Sequence, residues 1–197
     1  IEAEQIREIE PHATGLQALH VRSTGIVDYA LVASTMATIV RHRGASIQTS
    51  AHVMRCMRQQ GAWLLTTTAG EVRARFLITC AGLHADRVTV RAGGPSDVRL
   101  VPFRGEYYGV IPPRRFLVKG MIYPVPDPAM PFLGVHFTRT IHGGLHAGPN
   151  AVLAFKREGY RKRDIDLRDT VETLAFPGFW RMARRYWRTG LAESYRS

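Results

Sequence analysis

Four short stretches of the chain carry side chains able to do chemistry. In Gly134-Val135-His136-Phe137 an imidazole stands among apolar and glycine neighbours. Imidazole exchanges its proton near neutral pH, so His136 is the candidate general base, with a histidine packed in a strand as the plainer alternative. Phe103-Arg104-Gly105-Glu106-Tyr107-Tyr108 brings a guanidinium and two phenols close together. Arg104 can clamp a carboxylate with two parallel bonds and Tyr108 can add a third; an ordinary strand with a fixed ion pair is the alternative. Leu77-Ile78-Thr79-Cys80-Ala81-Gly82 runs from apolar residues into small ones. Small residues let a ligand approach the backbone, and ligands of open α/β sheets sit at the carboxyl ends of strands. A simple strand-to-helix turn explains the same letters. Gly148-Pro149-Asn150-Ala151 holds an amide on a rigid turn.

Other chemistries lack support. His12, His20, His42, His52 and His84 show no metal-ligand spacing, and His142 and His146 fall in or beside a turn. No G-x-S-x-G nucleophile elbow occurs. Two cysteines, Cys56 and Cys80, make neither a disulfide framework nor a zinc site, which suits a reducing compartment.

The elements that must position these groups follow from periodicity. Residues 1–11 read as a short amphipathic helix ended before Pro11. Asp28 is placed to cap a helix running to about Arg43, with Leu31, Met36, Ile39 and Val40 at helical spacing and Gly44 as its stop. Period-two patterning then predicts a strand-like Ser46–Thr49, a strand over His52–Met57, and a hairpin of Trp63–Thr68 with Val72–Thr79. The end of that hairpin, Phe76-Leu77-Ile78, is wholly apolar and suits a buried strand entering a parallel sheet. A helix is expected from Ala85 to Arg91. Strands follow over 100–108, Met121–Val125, Phe132–Arg139 and Leu145–Pro149, then helices over Asp166–Leu174 and Phe179–Arg188.

The chain has 197 residues, 45% of them hydrophobic and 22% charged, so it is expected to fold rather than stay disordered. No run approaches the length of a membrane helix, and the first residues do not read as a signal peptide. The net charge of +11 favours anionic partners. The arginines are scattered, however, with clusters at Arg157, Arg161, Lys162 and Arg163 and at Arg181, Arg184, Arg185 and Arg188, and these read as solvated faces. Without a zinc-finger, RNA-binding or basic-zipper pattern, no nucleic-acid partner is expected.

Several longer stretches resemble the bacterial L-2-hydroxyglutarate dehydrogenase (oxidase) family of flavoproteins, within the D-amino-acid-oxidase-like superfamily. They include Glu8–His12, Thr24–Tyr29, Cys80–Leu83, Val101–Tyr108, Ile122–Pro128, Pro131–His136, Gly148–Phe155 and Arg157–Tyr160. The resemblance implies part of a Rossmann-like FAD-binding domain (α/β) over residues 1–95, including an N-terminal connecting segment. It implies an antiparallel-sheet substrate domain (α+β) over 96–197. FAD is the implied cofactor, and the implied reaction is oxidation of L-2-hydroxyglutarate to 2-oxoglutarate. By the same likeness Val53 holds the adenine half of FAD, while Cys80, Ala81 and Gly82 lie near its phosphates. His136 and Asn150 face the flavin ring, Asn150 with the substrate beside it, and Arg104, Tyr108 and Tyr123 serve the substrate.

The G-x-G-x-x-G expected of the family does not occur in these residues, so the chain is expected to be the middle of a longer enzyme. Expected partners are a small dicarboxylate substrate and a quinone or oxygen as electron acceptor. The expected location is cytoplasmic; the basic, aromatic helix near 179–188 reads first as a core helix, with peripheral contact to the inner membrane as the alternative. Another 2-hydroxyacid or amino-acid oxidase of the same fold, and a non-catalytic basic binding module, are the alternatives.

Overall fold

The computed structural model describes residues 1–95, 97–126, 128 and 134–197. Two compact units emerge, each assembled from separate stretches of chain. The first comprises Ile1–Thr38, Gly105–Val152 and Leu191–Ser197; the second comprises Ile39–Arg104 and Leu153–Gly190. The domain boundary expected at residue 95 from the resemblance falls within the stretch Ile39–Arg104 of the second unit.

In the first unit, helix α1 (Ala3–Ile9) begins where the Glu2 amide donates to Gln5 Oε1 at 3.1 Å, and it buries Ile6. Just beyond it the buried Glu10 carboxylate accepts the amides of Lys119, at 2.8 Å, and Gly120. That pair of bonds ties the first helix to the chain that leads into Tyr123. Helix α2 (Tyr29–His42) starts as expected, because Asp28 Oδ1 accepts the free Ala30 amide at 2.9 Å. None of its residues is buried.

A three-stranded sheet follows, built of β4 (Phe103–Gly109), β5 (His136–Arg139) and β6 (Leu145–Leu153), in the order β4-β6-β5. Strands β5 and β6 are antiparallel, with His136 opposite Gly148 and Arg139 opposite Leu145. Leu145 is the most deeply buried residue here. Gly148 has φ +151, and a Cβ there would lie 2.7 Å from the Glu106 carbonyl oxygen. Only glycine allows that approach.

Two expectations change in this unit. Met121–Val125 forms no strand but a single bridge, Ile122 with Phe137, and Pro124 has no amide to extend it. Of the expected strand Phe132–Arg139, the part His136–Arg139 is observed, while Pro131, Phe132 and Leu133 lie outside the described residues, as does Asp127. A short 3-10 helix over Pro112–Leu117, opened by its two prolines, has no counterpart in the periodicity.

The second unit contains a meander of β1 (Val53–Gln59), β2 (Ala62–Thr67) and β3 (Gly70–Ala74), all antiparallel, with Cys56 buried. The strand expected to continue through Phe76–Ile78 stops at Ala74. Phe76 and Ile78 are 83% and 84% exposed, because no strand among the described residues pairs with them. Ser46–Thr49 likewise pairs with no strand among the described residues. Helix α3 (Ala85–Arg91) has the expected limits. Helix α4 (Leu167–Leu174) is capped by Asp166, whose carboxylate accepts the Asp169 amide at 2.9 Å. Helix α5 (Pro177–Arg196) runs longer than expected and departs from helical geometry at Tyr186; its last residues count with the first unit.

Candidate active site

His136 opens β5 and is buried at 8% exposure. Its Nδ1 lies 3.0 Å from the Gly134 carbonyl oxygen. A carbonyl only accepts, so this bond keeps the proton on Nδ1 and leaves Nε2 of the neutral ring as a proton acceptor. Tyr123 stacks on the imidazole at 4.4 Å and 19°, and Tyr107 meets it edge-on at 6.3 Å. The Tyr123 hydroxyl lies 3.1 Å from Thr138 Oγ1. The ring is therefore fixed on both sides, and one nitrogen is held in a known tautomer.

The other predicted site residues are placed as follows. Asn150 is buried on β6, two positions beyond the Gly148 that pairs with His136. Tyr108 is exposed and donates to the Arg196 carbonyl at 3.1 Å. Arg104 belongs to the second unit, where its guanidinium donates to the Arg161 carbonyl at 3.0 Å. The structure thus brings Tyr123 onto His136 and keeps Asn150 on the adjoining strand. Tyr107, rather than its neighbour Tyr108, is the β4 phenol that touches the imidazole. Alternation along a strand puts the two on opposite faces, but period two alone does not say which face His136 shares.

In the second unit, Val53 begins β1, and its carbonyl accepts Arg91 Nη1 at 2.9 Å. Cys80, Ala81 and Gly82 lead into a 3-10 turn, Gly82–His84, closed by the His84 amide donating to the Ala81 carbonyl at 2.9 Å. Gly82 has φ +51, and nothing lies within 4 Å of where its Cβ would be. Cys80 and Gly82 are exposed. Small uncharged residues with an open backbone suit a dinucleotide laid along the chain, so these positions fit FAD. Among the described residues no group of three or more His, Cys, Asp or Glu is placed to hold a metal ion.

Behind that turn lies an ionic network that no periodicity announces. Arg157, expected on a solvated face, is instead buried at 6% exposure. Its guanidinium grips both oxygens of the buried Asp86, one of them at 2.7 Å, and donates to the Leu83 carbonyl at 2.6 Å. Asp86 also accepts the amides of Arg87, at 2.8 Å, and Leu100, at 3.1 Å. Arg87 in turn binds Asp169, and Glu172 at 2.6 Å. Burial pushes the Asp86 carboxyl up; the Arg157 bond, the two amides and the Arg157 charge outweigh it and hold the group at about 2. Asp169 and Glu172 also lie below the usual carboxylate range, where burial is outweighed for Asp169 by the Arg157 amide and Arg87, and for Glu172 by Arg87 and Arg168.

Known proteins are similar to this chain along its length. The family model described as FAD dependent oxidoreductase matches residues 1–195. L-2-hydroxyglutarate dehydrogenase of Indibacter alkaliphilus is 46% identical over the whole chain, which covers 50% of that protein. The Escherichia coli K12 protein of the same name is 46% identical over 98% of the chain, and the human mitochondrial one is 39% identical over all of it. The chain spans about half the length of these curated relatives. Among solved structures, L-proline dehydrogenase from P. horikoshii aligns over 92% of this chain and 48% of its own, with a TM-score of 0.63 and 16% identity, a likeness of fold. From the family match over residues 1–195, the chain belongs to the FAD dependent oxidoreductases of the D-amino-acid-oxidase-like fold.

Proposed function

We propose that the full-length protein containing this chain oxidises L-2-hydroxyglutarate to 2-oxoglutarate. The observation that carries this reading is the likeness, along nearly the whole chain, to relatives bearing that enzyme's name. Bound FAD supplies the acceptor for the hydride equivalent leaving the hydroxyl-bearing carbon. His136 takes the hydroxyl proton at Nε2, the nitrogen left free by the bond from Nδ1 to Gly134. Tyr123 keeps the ring plane fixed while that proton moves. Arg104 is assigned to a substrate carboxylate, and Tyr108, Tyr123 and Asn150 to the remaining oxygens. Val53, Cys80, Ala81 and Gly82 are assigned to FAD. Residues 1–95 serve chiefly the flavin and 96–197 chiefly the substrate.

Substituting His136→Asn in the full-length protein should lower kcat about 10²- to 10⁴-fold while the bound flavin keeps its absorption spectrum. Unchanged turnover and an unchanged pH profile would remove His136 from this role. Side-by-side assays with L-2-hydroxyglutarate and with amino acids test the substrate: flavin reduced only by the latter would replace the reading with an amino-acid oxidase.

The acceptor that re-oxidises the flavin is assigned to quinone or oxygen, and the protein to the cytoplasm with peripheral contact to the inner membrane. Helix α5 supports the contact: Trp180 and Trp187 are half exposed, and the Arg185 and Arg188 guanidiniums lie 5.4 Å from the Tyr186 and Trp187 rings. Binding to anionic vesicles that salt reverses is expected; absence of binding at low salt would remove the membrane from the assignment.

A further inference from the structure

Residues 80–82 are exposed or half-exposed, whereas the residues immediately after them are gripped from behind. Two consecutive side chains provide the grip. Arg157 Nη1 donates to the Leu83 carbonyl at 2.6 Å, and Glu158 Oε1 lies 3.1 Å from Nε2 of His84. The same guanidinium is locked on Asp86 in the first turn of α3, and the Arg157 amide is itself held by Asp169 at 2.8 Å. All of these residues belong to one unit. A guanidinium with a buried carboxylate and a carbonyl on its fork has little freedom, so the turn it holds inherits that rigidity.

We propose that Arg157 and Glu158 are positioning residues for FAD. They hold the 82–84 turn so that the backbone of Cys80, Ala81 and Gly82 is presented, already ordered, to the cofactor. The proposal rests on the flavin reading of that turn. Neither side chain needs to touch the cofactor, because pre-ordering the turn removes an entropic penalty that binding would otherwise carry.

The test uses the full-length protein stripped of FAD and titrated with it, followed by flavin fluorescence. A second readout is alkylation of the exposed Cys80 thiol, located by peptide mass spectrometry. In the wild type, FAD should slow alkylation of Cys80. Arg157→Met should raise the Kd for FAD about tenfold or more and speed Cys80 alkylation in the apoprotein. Arg157→Lys keeps the charge without the fork and should fall between the two. Glu158→Ala removes an exposed partner and should fold normally, with a smaller rise of about two- to threefold. If Arg157→Met does not fold, the Lys and Glu158→Ala variants decide. Folded variants with wild-type Kd and wild-type Cys80 alkylation would overturn the proposal. A wild type that took up no FAD would overturn both this proposal and the flavin reading. One that bound FAD but was not reduced by L-2-hydroxyglutarate would sink the substrate assignment alone and leave the positioning role standing.

Discussion

Around His136, among the described residues, a buried polar ring is satisfied by a single carbonyl and otherwise meets two aromatic rings, both half exposed. Around Asp86 a buried carboxylate meets a guanidinium and two amides, and both arginines among these partners, Arg157 and Arg87, are themselves tied to Glu172. The first arrangement leaves one nitrogen uncommitted, which suits a group that must exchange a proton. The second leaves almost nothing uncommitted, which suits a group that must not move. The proposed base and the ion pair behind the 82–84 turn thus differ in how completely their partners use them up.

The comparison can be broken most directly at Arg157. Replacing it with Met strands the Asp86 carboxylate in the interior, and an expected loss of about 3–5 kcal/mol should appear in denaturant unfolding. A loss below about 1 kcal/mol would show that water reaches Asp86 freely. Acid sharpens the contrast next. Because the Asp86 carboxyl sits at about 2 when folded, against an ordinary 3.8, its contribution is fully present above pH 4. That contribution is lost as the pH falls through 2, and the shift corresponds to roughly 2 kcal/mol. The Asp86→Asn variant should show a shallower decline between pH 4 and pH 2, measured as unfolding free energy against pH. The smallest effect is expected at the ring cluster. His136→Asn, although expected to be severe for turnover, should alter stability by only about 1 kcal/mol, since it removes one stacked pair and one bond to a carbonyl.

Local signals in the sequence were enough for the pieces that depend on neighbours in the chain. Asp28 and Asp166 both cap the helices that follow them, α3 begins and ends where expected, and the β2–β3 hairpin turns between Thr67 and Gly70. What escaped depends on distant partners. Phe76 and Ile78 are apolar enough for a buried strand, but a strand also needs a ladder, and none is offered among the described residues. Arg157 looks like its solvated neighbours until Asp86 is brought to it from another part of the chain. At the candidate site His136 stands out by its residue type, whereas that Tyr107 is the β4 ring lying against it required the strand's facing. The burial of Asn150 required its pairing partner.

Asp86 and Arg157 are 71 residues apart in the chain. At a synthesis rate of about 5–20 residues per second, the ribosome needs roughly 4–14 s to deliver the second after the first. Through that interval α3 and the turn before it exist without the guanidinium that fastens them, and the second unit cannot close until its later segment has emerged. Agents that slow elongation between residues 86 and 157 would therefore prolong the life of a nascent chain whose 82–84 turn is still unfastened.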